Sequence, residues 1–188
     1  MTSTPAVRRP PRKLDAAALE RAARHYLERF ASSAENLRWV LRRRVERSAR
    51  AHGTDRAAGA RLVDDLVARF QQNGLLDDAH YAAARAAGLA RKGGSTRAIR
   101  ARLRQKGVDR ADIDRAIALL TEEFHEPDTA AAAVLVRRRR LGPHRPAPQR
   151  AAHRDRDLAA LARAGFGYDV ARQVIDAPSP EALAAGEA

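Results

Sequence analysis

The 188-residue chain contains no cysteine, which excludes a disulfide framework, a thiolate zinc site and a cysteine nucleophile. Aromatic residues make up only 4% of it, with a single Trp. Much of the 45% hydrophobic share is alanine, which favours helix, so small cores between short helices are expected rather than one large core. Long apolar runs are missing, and no segment reads as a membrane span. The N-terminal MTSTPAVRRPPRKLD is basic and Pro-rich and lacks the apolar centre of a secretory signal. The expectation is a soluble, cytoplasmic protein. No run alternates β-branched and polar residues, so no strand is predicted.

The patterns of several chemistries are missing as well. Six His residues are scattered, and His144 and His153 flank a Pro-rich loop without an HxxxH spacing, which argues against zinc. RKGGSTR has glycines but no Lys before its Ser, and no strand precedes it, so it is not a phosphate-binding loop. Asp77-Asp78 stands before a helical run with no His at ligand spacing and reads as an N-cap. No catalytic constellation, metal site or cofactor site is expected, and the chain is not read as an enzyme.

What is abundant is arginine. The net charge is +13, and only Lys13, Lys92 and Lys106 among the 36 basic residues are lysines. Guanidinium groups recognise phosphate and carboxylate through a planar fork. A field this positive favours polyanions: nucleic acid, an acidic protein surface or anionic lipid. The plainer reading of the excess is an Arg-rich, GC-rich genome and a need for solubility.

Helical punctuation divides the chain. Helices are predicted from Asp15 to about Phe30, from Ser33 to Gly53, over 58–72, and from Asp77-Asp78 to Gly93-Gly94. Further ones run from Ser95 to Gly107, from Asp109 to Pro127, and from Asp128 to about Leu141. HRPAPQRAA reads as a connection, followed by helices over 155–164 and 167–176. RAIRARLRQKGVDRADIDRAI resembles RDLAALARAGFGYDVARQVI, with Gly107-Val108 on Gly165-Phe166 and Leu103 on Leu161. NLRWVLRRRVE echoes the start of the same unit, with Leu37 on Ile99 and Leu41 on Leu103. The expected fold is all-α: three tandem three-helix repeats in an elongated, curved array of right-handed or irregular form. The repeats span 15–74, 75–126 and 128–177, between a disordered basic tail (1–14) and a flexible C-terminal tail (178–188).

Three basic features are candidate contacts. On the helix after Ser95, Ile99 and Leu103 share one face at 100° per residue. Arg97, Arg100 and Arg104 cluster on one flank of it, and Arg102 and Lys106 on the other. Such a helix presents basic shoulders to phosphate or an acidic groove, or is a solvated face of snorkelling arginines. Arg137 to Arg140, including Arg138, form a run at a helix C-terminus, where cations also complement the helix dipole. Trp39 lies one turn before Arg42 and Arg43. It is expected to pack on a neighbouring helix; the alternatives are stacking on a base or anchoring a protein contact.

The order and spacing of motifs over Phe70–Leu120 resemble the regulatory protein RecX family. The matching elements are Gly74, Leu75, Leu76, Asp77, Asp78, Tyr81 and Ala82, then Gly94, Ile99, Leu103, Lys106, Gly107 and Val108. The closing LARAGFGYDVARQVID, with Gly165 and Phe166, is similar to the family's C-terminal unit. Departures are Ala83-Ala84-Arg85, where the family often has an aromatic, and the Pro-rich loop after Leu141. The resemblance implies a monomeric, non-enzymatic modulator of the RecA recombinase, acting in recombinational DNA repair and the SOS response. Such a protein would bind the RecA–single-stranded DNA filament and inhibit its extension, ATPase and strand exchange, touching free DNA weakly. A direct nucleic-acid-binding helical regulator is the alternative.

Overall fold

The computed structural model describes residues 14–185, and among these every regular element is helical. The elements are α1 (Ala16–Leu27), α2 (Ala34–His52), α3 (Arg56–Gln72), α4 (Asp78–Ala90), α5 (Thr96–Gln105), α6 (Arg110–Phe124), α7 (Pro127–Arg139), α8 (Ala147–Arg163), α9 (Tyr168–Ile175) and α10 (Pro180–Ala185). A 3₁₀ turn, Gly142–His144, separates α7 from α8. Apart from Leu14, the expected N-terminal tail lies outside the described residues.

The described chain divides into two compact units, which part between Asp78 and Ala79. In the first, Leu19, Leu37, Leu41, Val63, Val67 and Phe70 form the centre of one core. The pairs Arg56–Glu46, Arg42–Asp64 and Arg38–Gln71 set α2 and α3 antiparallel. Gly59 permits their close approach: a Cβ there would lie 2.5 Å from Val45 Cγ1.

The second unit holds two cores. One gathers Ala82, Ala86, Ile99, Leu103, Ile113 and Leu120; the other gathers Ala132, Leu135, Val136, Leu161, Phe166 and Val174. The apolar residues matched between the sequence repeats are buried here, including Ile99, Leu103, Val108, Leu161 and Phe166.

Five helices end with one device. An N–H two to four residues past the helix end donates to a carbonyl five residues back: Leu75 to Phe70, Gly94 to Leu89, Val108 to Leu103, Leu141 to Val136, and Phe166 to Leu161. The residue just before that N–H must take a positive φ. Gly74, Gly93, Gly107 and Gly165 fill that position in four helices, and Arg140, at φ 53°, fills it in α7.

The structure corrects several expected boundaries. Helix α3 starts at Arg56 because the Asp55 carboxylate accepts from Ala57 N and Ala58 N. The α7 helix starts at Pro127, whose missing N–H costs nothing in a first turn. For the same reason α8 reaches back to Ala147, with Pro148 in its first turn, and much of the expected Pro-rich connection is helix. The C-terminal stretch expected to be a loose tail contains α10: Ser179 Oγ accepts from Ala182 N at 3.2 Å, and Leu183 packs on the third core.

A candidate basic interaction surface

Helix α5 starts at a polar junction. Ser95, fully buried, accepts from Ala98 N at 3.2 Å and donates to the Ala164 carbonyl at 2.8 Å. The Asp128 carboxylate of α7 accepts from Thr96 N at 2.7 Å and Thr96 Oγ1 at 3.0 Å. The same arrangement recurs in the first unit: Ser33 caps α2, and Asp78 accepts from Ala34 N at 2.8 Å. Asp78 opens α4, as the sequence predicts, whereas Asp128 is the second residue of α7 rather than its cap; the carboxylate of each accepts from the first amide of another helix.

The preceding turn, Lys92-Gly93-Gly94, docks on α7. A Cβ at Gly93 would lie 3.0 Å from Leu135 N and 3.1 Å from Ala131 O. Arg138 Nη1 donates to the Lys92 carbonyl at 2.8 Å. The four-arginine run at the end of α7 and the start of the α5 segment are therefore neighbours, which sequence spacing did not reveal.

The candidate arginines separate into engaged and open groups. Arg100 pairs with Asp114 of α6, and that hydrogen bond holds the Asp114 carboxyl below its usual range. Arg42 donates to Asp64 at 2.8 Å. Arg100, Arg42 and Arg138 thus tie elements together. Lys106 closes α5 through its backbone N–H. Arg97, Arg102, Arg104, Arg137 and Arg140 are exposed and make no ion pair or side-chain hydrogen bond among the described residues. Burial and then the Arg137 charge hold the His144 imidazole below its usual range.

Trp39 is exposed rather than buried against a neighbouring helix as expected. Its residue surface is 56% exposed, and the Arg43 guanidinium lies over its ring, 4.8 Å from the centroid. The α2 face turned to the core is Leu37, Leu41, Val45 and Ala49, and Trp39 projects from the other side.

Other arginines among the 36 basic residues are structural. Asp157, 1% exposed, accepts from Gly142 N at 2.9 Å and from Arg145 Nε and Nη2 at 2.7 and 2.8 Å. Burial pushes its carboxyl up, but the Arg145 and Gly142 hydrogen bonds outweigh that and hold it below the usual range. Arg150 donates to the Pro143, Arg145 and Pro178 carbonyls. No group of His, Asp and Glu suited to a metal ion occurs among the described residues, and none of their helices is long and apolar enough to cross a membrane.

Comparison with known proteins agrees with this architecture. Residues 77–117 match the family model described as RecX, second three-helix domain. Regulatory protein RecX of Myxococcus xanthus (strain DK1622) is 46% identical over 167 residues, 88% of each chain. A crystal structure of regulatory protein RecX has a similar fold, with a TM-score of 0.57 over 86% of this chain and 73% of that one at 21% identity.

Proposed function

The chain belongs to the RecX family of regulatory proteins, and from that premise we propose that it binds the RecA–single-stranded DNA filament and restrains its growth, ATPase and strand exchange. In this reading it works as a cytoplasmic, non-enzymatic monomer built of three helical repeats, 15–74, 75–126 and 128–177. The observation that carries the proposal is the open arginine set: Arg97, Arg102 and Arg104 on α5, with Arg137 and Arg140 at the end of α7. Open guanidinium groups on rigid helices supply long-range attraction to a polyanionic filament and planar donors for short-range contact.

The test is RecA's DNA-dependent ATPase at substoichiometric protein. The wild-type chain inhibits. The Arg97→Ala/Arg104→Ala variant needs several-fold more protein for the same inhibition while keeping its helicity. Arg100 is left in place because it ties α5 to α6. An ATPase unaffected by the wild-type chain, with tight and sequence-dependent duplex binding, would establish the direct DNA-binding alternative.

A further inference from the structure

We propose that the outer face of α2 is a stacking platform for unpaired nucleic-acid bases, with Trp39 as the platform and Arg43 and Arg47 as the phosphate-binding edge. A solvated Trp adds nothing to the core, and Trp39 belongs to none of the three core clusters. It is the only Trp in the chain, standing on a helix face that is otherwise charged.

The local geometry fits a base and its phosphates. Trp39, Arg43 and Arg47 follow one another at four-residue spacing, so they form one stripe along the helix. Arg43 lies over one face of the indole, 4.8 Å from its centroid, a cation–π contact that orients the ring, while more than half of the Trp39 surface stays open to a ligand. Arg43 and Arg47 are exposed and have no carboxylate partner among the described residues. The nearby carboxylate of Asp64 is already paired with Arg42 and Arg38, so the field over the face stays positive.

The ligand class follows from the combination. Carboxylates on a protein surface would satisfy the arginines but give the indole no planar partner. A duplex satisfies the arginines but hides the faces of its bases. A single strand offers both phosphates and open π-faces, and base–aromatic stacking tolerates any sequence.

The inference shares the basic-surface premise of the preceding section but does not need the recombinase, so each can fail without the other. Because Trp39 is the only Trp, its emission, excited where tyrosine does not absorb, reports on this site alone. A short oligothymidylate, with no RecA present, should quench it saturably. Inorganic polyphosphate should compete for the arginines without quenching. Trp39→Ala should weaken oligonucleotide binding roughly 5- to 150-fold, with the helical circular dichroism unchanged, and Trp39→Phe should weaken it less. Unchanged emission at saturating oligonucleotide, equal affinity of Trp39→Ala, or a matching affinity for polyglutamate that ignores Trp39 would each overturn the proposal.

Discussion

At the scale of single residues, the helix ends distinguish what a backbone needs from what a surface carries. Four of the five ends that share the same terminal hydrogen bond place glycine at positive φ, and the fifth places Arg140 there. A side chain in the left-handed region costs roughly 1–2 kcal/mol. Arg140→Gly is therefore expected to raise stability by about 1 kcal/mol in urea unfolding. If Arg140 contacts the filament, the same variant inhibits less, separating a partner role from a packing role. Gly165→Ala should act in the opposite direction. Its φ is 94°, and its Cβ would lie 2.7 Å from Ser95 Oγ, which is already bonded to Ala164 O and Ala98 N. A loss of at least about 2 kcal/mol is expected. Gly53→Ala meets nothing within 4 Å and should cost only about 1 kcal/mol.

Elements were legible where local chemistry decides them. The caps Asp15, Ser33, Ser95 and Asp109 each accept from an amide of the helix they precede. The glycine closures and the apolar stripes matched between repeats were equally readable. Contacts between elements were not. Asp78 and Asp128 serve helices 44 and 32 residues away, and no spacing rule reaches that far. The Pro-rich stretch before α8 misled because a proline run reads as loop, although prolines in a first turn displace no hydrogen bond. What fixes that stretch is the buried Asp157, held by Arg145 and Gly142, with Arg150 across three carbonyls. Asp157→Asn keeps an acceptor for Gly142 but leaves Arg145 without its counter-charge, and should cost about 2–4 kcal/mol near neutral pH. The lowered Asp157 carboxyl gives this contribution its pH dependence. It is complete above the unfolded carboxyl range near pH ~4 and is lost as pH falls through the lower folded value. Melting curves of wild type and Asp157→Asn should therefore converge in acid; a constant gap down to that range would exclude the ion pair as the source.

At the scale of the whole molecule, the 36 basic residues overstate the cations open to a partner, because many of them hold a carboxylate and the net charge of +13 is what remains after the 23 acidic residues are subtracted. Arg24, Arg56, Arg145 and Arg154 hold carboxylates of their own unit, and Arg97, Arg104 and Arg137 hold none. The sequence supplied the total but not this partition, because pairing depends on which helices meet. Salt makes the partition measurable. Each phosphate neutralised on a single strand releases condensed counterions and adds about 0.7 to the slope of log affinity against log salt. If Arg97 and Arg104 each meet a phosphate, replacing both with Ala lowers the slope by about 1.4 and leaves the melting temperature nearly unchanged, since neither holds a partner. Arg145→Gln should do the reverse: the slope stays as it was, and the melting temperature falls because Asp157 is left buried without its cation. The measurement is oligonucleotide binding across a salt series, alongside thermal denaturation of the same variants. Equal slopes for the wild type and the Arg97→Ala/Arg104→Ala variant would remove the α5 arginines from direct phosphate contact. Binding would then have to be traced to the end of α7 or to the Trp39 face of α2.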